Sequence, residues 1–207
     1  MIGNSLVIGI SGKKGSGKST VASEIERLAP GQFVEETFAK PLKQAIPILF
    51  NWEDRDLNDG VVKATVDERW GVTPRFVLQD MGTDYLRKTF GQDFFVKNLK
   101  HRLERDGCPP RVIISDLRFK NEAEMLRYEG AFLWRIERPG LESTDTHPSE
   151  TDLDDWKDWD FVIQNNASLE HLHDLVYFAL TEADAKNRSY ARLAGKQPIG
   201  ATIKRKV

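Results

Sequence analysis

Two kinds of hydrophobic pattern alternate along the chain. Leu6-Val7-Ile8-Gly9-Ile10 is a short, continuous apolar run, rich in β-branched residues and ended by glycine, which suits a strand buried on both faces of a parallel sheet. Arg111-Val112-Ile113-Ile114-Ser115-Asp116, Phe132 to Glu137 and Phe161-Val162-Ile163 repeat the pattern, and Phe33 to Thr37 is a weaker instance. Between these runs the apolar spacing becomes helical. Helices are predicted from Lys18 to just before Pro30-Gly31, from about Pro41 to Phe50, from Thr73 to about Phe90, from about Asp93 to Arg105, from about Asn121 to Glu129, and onward from Ser168. Thr73 and Ser168 read as N-caps, Pro74 takes a first helical position, and Gly91 stops the helix before it. Leu78, Met81 and Tyr85 predict the apolar face of the Thr73 helix, and Leu169, Leu172, Val176 and Ala179 that of the last one.

Repeated alternation of strand and helix predicts an α/β fold of three layers, with a mostly parallel central sheet and helices on both faces. Two stretches interrupt it. Residues 51–71 are rich in charge and turn formers, and residues 141–160 hold eight acids against one lysine. Both read as excursions from the core.

With 207 residues, 40% of them hydrophobic, the chain is long enough for one sizeable core, and a single domain over 1–188 is expected. The net charge of -2 argues against a surface built as a whole for nucleic acid. Charge is nevertheless uneven: Lys186, Arg188, Arg192, Lys196, Lys204, Arg205 and Lys206 stand without an acid from Ala185 on, so residues 189–207 read as a basic tail. The single cysteine, Cys108, cannot form an internal disulfide, which points to a reducing, cytoplasmic setting. No stretch approaches the ~20 apolar residues of a membrane span. The apolar N-terminus lacks a basic leader and runs into a glycine-rich loop, so it reads as a core strand and not a signal peptide.

That loop, Gly12-Lys13-Lys14-Gly15-Ser16-Gly17-Lys18-Ser19, satisfies the Walker A spacing, and it stands between a predicted strand and a predicted helix. Glycines let the backbone N–H groups turn toward phosphate, and the positive end of the following helix adds attraction. Gly12, Lys13, Gly15, Ser16, Gly17, Lys18, Ser19 and Thr20 are therefore the expected ATP-binding residues of a P-loop fold. Lys18 is expected to bridge the β- and γ-phosphates and Ser19 to ligate Mg²⁺. Asp116, at the carboxyl end of a strand, is the candidate second Mg²⁺ ligand, and Arg118 lies two residues on. No guanine-reading Asn-Lys-x-Asp occurs, and Asp116 is followed by Leu117 where the apolar-Asp-Glu strand end of motors and helicases has a glutamate, which leaves a small kinase.

Several blocks extend this picture: Phe38-Ala39-Lys40-Pro41-Leu42-Lys43, Thr73-Pro74-Arg75, Gln79-Asp80-Met81-Gly82-Thr83-Asp84, Asp93-Phe94-Phe95-Val96, Ser115-Asp116-Leu117-Arg118-Phe119-Lys120-Asn121-Glu122, Arg138-Pro139-Gly140, Asp145-Thr146-His147-Pro148-Ser149-Glu150 and Asn165-Asn166-Ala167-Ser168-Leu169. In order and spacing they resemble the bacteriophage deoxynucleoside monophosphate kinases. The resemblance implies transfer of a phosphoryl group from ATP to a deoxynucleoside monophosphate, allows a homodimer, and implies the host cytoplasm if the chain is phage-encoded. Such an acceptor needs cations of its own, and Lys43 and Arg75 are the candidates. On a helix from Thr73, residues Arg75, Gln79 and Gly82 share a face; Thr83 and Asp84 are candidates for sugar or base. The family tends to carry an aromatic at Phe95, which could stack on the base, whereas Phe38 reads as core. Helices over about 40–105 would form the acceptor side. Residues 138–155 are the expected lid, with Arg138 adding charge at the transferring group. His147 reads as a lid contact, because an anionic acceptor needs no general base. The acidic run Asp152, Asp154, Asp155, Asp158 and Asp160 has no place in the family pattern. Two rivals remain: a phosphomevalonate kinase-like enzyme, and an ATP-dependent nucleic-acid-binding module suggested by the basic tail.

Overall fold

The computed structural model describes residues 5–141 and 145–193. The chain runs β1 (Leu6–Ser11), α1 (Lys18–Leu28), β2 (Val34–Glu36), α2 (Lys40–Phe50), α3 (Asp54–Asn58), a 3₁₀ turn (Val62–Ala64) and α4 (Pro74–Gln79). A π-helical segment (Asp80–Arg87) follows, then α5 (Lys88–Phe90), α6 (Phe94–Arg105), β3 (Arg111–Leu117), α7 (Lys120–Tyr128), β4 (Phe132–Glu137), α8 (Pro148–Thr151), β5 (Phe161–Gln164) and α9 (Leu169–Leu193). The basic tail assigned to residues 189–207 lies mostly outside the described residues. No helix among those described is long and apolar enough to cross a membrane.

The sheet has the order β2-β3-β1-β4-β5, and every pair in it is parallel. Alternate side chains of the inner strands feed two separate cores, as the two-residue period of a strand requires. Leu6, Ile8, Ile10, Ile113, Trp134 and Ile136 pack with α1 and α9, while Val7, Val112, Ile114 and Leu133 pack with α2, α6 and α7. Three layers result, as the alternation predicted. At Gly9 a Cβ would stand 2.8 Å from Leu126 Cδ1 on α7, so glycine lets that helix approach the central strand closely.

The helix predicted from Thr73 to Phe90 forms, but not as one regular α-helix. Thr73 caps it, its hydroxyl accepting the Phe76 N–H at 3.0 Å, and Gly91 ends it at φ 101°. In between, the π segment widens the turn, so the core-facing pair becomes Met81 and Leu86, five residues apart. Tyr85, placed on the apolar face by a regular α period, is therefore exposed. A smaller departure concerns α9: Leu172, Val176 and Ala179 are buried, whereas Leu169, in the first turn, is exposed.

Candidate functional site

Because all the strands are parallel, their carboxyl ends lie along one edge of the sheet, and there the loops converge. The phosphate loop leaves β1 at Gly12 and enters α1 at Gly17, which is left-handed at φ 104°. Two close approaches hold its shape. A Cβ on Gly12 would meet Ile136 O and Ser16 Oγ at 2.5 Å each, and one on Gly17 would meet Asn165 Nδ2 at 2.4 Å. That Asn165 amide donates to Ser16 O at 2.9 Å, tying the loop to the end of β5. Lys18 Nζ donates back to Gly12 O and Lys13 O at 2.5 and 2.9 Å. Burial, reinforced by Arg118 and Arg135 and opposed by Glu150 and Asp116, lowers Lys18 from 10.5 to about 8. Ser19 is exposed and Thr20 half-buried in the first turn of α1.

Beside the loop, a cavity of about 350 Å³ opens between the end of β3 and the α2–α4 side of the molecule, within the range of small-molecule sites. Its lining brings together Lys14, Lys43, Arg75, Gly82, Thr83, Phe95, Asp116 and Arg118, including five of the six residues expected on the acceptor side. Gln79 also lines it, so the proposed Arg75, Gln79 and Gly82 face survives the π segment that begins just after Gln79.

Asp84 and Arg138 sit outside this lining, and Phe95 and Gly82 have packing roles besides. Asp84 is absent from the lining; it is exposed and pairs with Lys88 at 2.7 Å. The wider turn carries it to the outer side, 3.9 Å from His147 Nε2. Arg138 is exposed and lines a separate groove with Lys13, Ser16, Arg135 and Leu141. Since β3 and β4 flank β1 on opposite sides, Asp116 and Arg118 stand on one side of the loop and Arg138 on the other. Phe95 lines the cavity but is also a core residue, 3% exposed, with the Arg87 guanidinium 4.9 Å from its ring centre. Gly82 is explained largely by packing, because a Cβ there would lie 3.1 Å from Leu42.

Asp116 has a definite structural task as well. One carboxylate oxygen accepts the Phe38 N–H at 2.7 Å and the other the Ala39 N–H at 3.0 Å, fixing the entry to α2 and hence Lys43. His147 is not among the cavity residues; it caps α8, its Nδ1 accepting the Ser149 N–H at 3.2 Å.

Phe38 is the core residue expected, 2% exposed, and it also faces the cavity as Phe95 does. Three further residues of the lining, Arg87, Glu122 and Lys63, escaped sequence reasoning. Arg87 and Glu122 form a buried ion pair at 2.5 Å, with the guanidinium 4.0 Å from the Phe119 ring centre. Burial raises Glu122 to about 7 against the pull of Arg87. Most informative is Lys63, delivered by the 3₁₀ turn inside the charged excursion. Burial first, then Lys43, Arg118, Arg75 and Lys14, lower it from 10.5 to about 8. Among the described residues, Lys43, Lys63 and Arg75 have no carboxylate partner. Mutually repelling cations in a cavity wall are a standing demand for an anion.

Residues 55–176 match the family model "Deoxynucleotide monophosphate kinase". A putative deoxynucleotide monophosphate kinase of Acanthamoeba polyphaga mimivirus is 37% identical over 204 residues, covering 88% of this chain and 100% of that protein. The chain belongs to the deoxynucleotide monophosphate kinase family. Among its relatives, the enzyme of Enterobacteria phage T4 is 33% identical over 109 residues, 52% of this chain and 44% of its own length. The Escherichia phage RB69 enzyme is 30% identical over 115 residues, 54% of this chain and 45% of its own length. The family match spans the 3₁₀ turn, the π segment and β3, so it takes in Lys63, Arg75, Asp116 and Arg118 but begins after the phosphate loop.

Proposed function

We propose that this chain transfers the γ-phosphoryl group of Mg-ATP to the phosphate of a deoxynucleoside monophosphate, giving the diphosphate and ADP. The observation that carries the acceptor half is the cluster of Lys43, Lys63 and Arg75 in a cavity beside the phosphate loop, with Lys63 driven down partly by its neighbours' charge. An acceptor phosphate with about two negative charges relieves that repulsion and is brought toward the loop that holds the donor. Phe38 and Phe95 supply apolar wall to the same cavity, suitable for a base.

Ser19 and Asp116 offer hard oxygen donors, the chemistry Mg²⁺ requires, and Mg²⁺ ordinarily takes one or two protein ligands and completes its shell with phosphate and water. When bound, the ion supplies charge neutralisation on the β- and γ-phosphates. Lys18 compensates the charge of the bound donor. Arg118 and Arg138, on opposite sides of the loop, are placed to meet charge from two directions. The acceptor oxygen is already anionic, so no base is needed, which fits a histidine used as a helix cap. Residues 138–155 form the lid in this reading, and 1–188 a single kinase domain.

ADP release measured across the deoxynucleoside monophosphates and phosphomevalonate tests the assignment. Turnover above background ATP hydrolysis is expected with at least one of the former and none with the latter; no acceptance of any nucleoside monophosphate would end the reading. Arg75→Ala is expected to raise the acceptor KM by about ten- to hundredfold with little change in the KM for ATP.

A further inference from the structure

The acidic stretch without a place in the family pattern forms a strap, and its partners explain its composition. Asp152 accepts the Lys120 N–H at 2.7 Å, and Asp155 pairs with Lys120 Nζ at 2.8 Å. Asp158 and Asp160 hold Arg127 at 2.8 and 2.5 Å. Asp154 pairs with Lys13 at 2.5 Å and faces Arg135 at 3.5 Å, while Leu153 is buried in the core beneath. The strap is thus fastened to α7 at one side and to the phosphate loop at the other.

Glu150 reaches furthest in. Its Oε2 accepts the backbone N–H of Lys14 at 3.0 Å, its Oε1 takes the Arg118 guanidinium, and its carbonyl oxygen accepts from Lys13 Nζ at 2.5 Å. The side chain is only 6% exposed. An N–H inside a Walker A loop and an adjacent arginine are donors suited to phosphate oxygens. A carboxylate presents the same charge and acceptor chemistry. Simple support of Arg118 would not require the second oxygen to sit on a loop amide.

We propose that Glu150 is an internal competitor for the donor nucleotide's phosphates. It keeps the Lys14 amide and Arg118 engaged until a polyanion displaces it, so that arrival of the donor, undocking of the strap and release of Arg118 toward the transferring group are one event. The apparent affinity for nucleotide is then the intrinsic affinity multiplied by the fraction of molecules with Glu150 undocked. The proposal rests on the donor half of the function given above and on nothing about the acceptor.

Calorimetric titration with Mg-ADP tests it, since no acceptor is involved. Glu150→Gln keeps the size and an acceptor oxygen but removes the charge, and should bind Mg-ADP about tenfold more tightly. Asp154→Asn, which loosens the strap at Lys13 while leaving Glu150 in place, should shift affinity the same way by less, and it carries the test if the first variant folds poorly. Amide exchange over residues 148–155 should accelerate when Mg-ADP is added to the native protein and be fast from the outset in Glu150→Gln. Unchanged or weaker Mg-ADP binding in Glu150→Gln, or in Asp154→Asn where it stands alone, overturns the proposal, as does failure of the native chain to bind Mg-ADP. A different acceptor would alter the turnover assay and leave this titration as described.

Discussion

Lys63→Met should make the protein more stable and a worse enzyme at once. Lys63 falls from 10.5 to about 8 through burial and the charges of Lys43, Arg118, Arg75 and Lys14. A lysine depressed in the folded state is one whose charged form opposes folding: the unfolded chain holds the proton more tightly, so stability rises with pH between about 8 and 10.5, and the penalty is fully present below 8. At ~1.36 kcal/mol per pH unit, that fall sets an upper bound of about 3.4 kcal/mol. Water reaches part of the side chain, and with screening allowed for, about 1–2 kcal/mol remains. Methionine keeps the apolar stem and removes the charge, so thermal melts at pH 7 should rise by roughly 2–8 °C for a chain of this size. On the proposed function the same change removes a charge-assisted contact to the acceptor phosphate, worth about 1.5–3 kcal/mol, so the acceptor KM should increase by roughly ten- to 150-fold while Mg-ADP affinity stays within about twofold. A variant that melts lower, or whose acceptor KM is unchanged, would refute the argument that these cations await an anion.

Further expectations follow from the same geometry. Lys18, lowered to about 8, must carry its proton to hold phosphate and loses it above that pH, so Mg-ADP affinity should be flat below pH 8 and weaken by up to about tenfold per pH unit above it; a flat profile to pH 10 removes Lys18 from the phosphates. Arg87→Met strands Glu122 in the core and should cost about 3–5 kcal/mol in urea denaturation, part of it recovered in the Arg87→Met, Glu122→Gln double variant, which keeps an acceptor for the Arg118 and Phe119 N–H groups. The single-variant cost should shrink as pH falls, because protonation relieves the stranded carboxylate. Gly12→Ala sets a methyl against the Ile136 carbonyl and should abolish measurable Mg-ADP binding while lowering stability by more than about 2 kcal/mol; native-like titration of that variant would show the loop to be more pliant than its contacts imply.

The phosphate loop was legible from sequence because its task depends on backbone geometry within eight consecutive residues, and glycine positions encode that geometry directly. The inner strands were legible for a related reason: burial on both faces leaves a continuous apolar signature. What sequence could not carry was register and partnership. Tyr85 and Asp84 were placed by an α period that the π segment breaks, and nothing local announces a wider turn whose driving force is the packing of Met81 and Leu86 on the core. Lys63 lay hidden in a stretch whose composition resembles any solvated loop; its meaning comes from Lys43 and Arg75, brought together only by folding. Glu150 and the aspartates after it were unreadable because the groups they hold, on Lys13, Lys14, Lys120 and Arg127, lie 31 to 141 residues away. The acceptor side depended on family resemblance because its members come from separate elements, whereas the donor side did not.

The place of β1 in the middle of the sheet also has a consequence for how the chain is made. Its neighbours are β3 and β4, which begin at Arg111 and Phe132, and β2 pairs only with β3. When β1 leaves the ribosome it has no strand to pair with, and at about 5–20 residues per second it waits roughly 5–20 s for the first. During that interval one of the most apolar segments of the molecule, attached to its phosphate loop, is an unpaired edge. Productive synthesis therefore favours a chaperone that holds the nascent segment between β1 and β3, and slowing translation before Arg111 should lower the yield of active enzyme more than slowing it after Glu137.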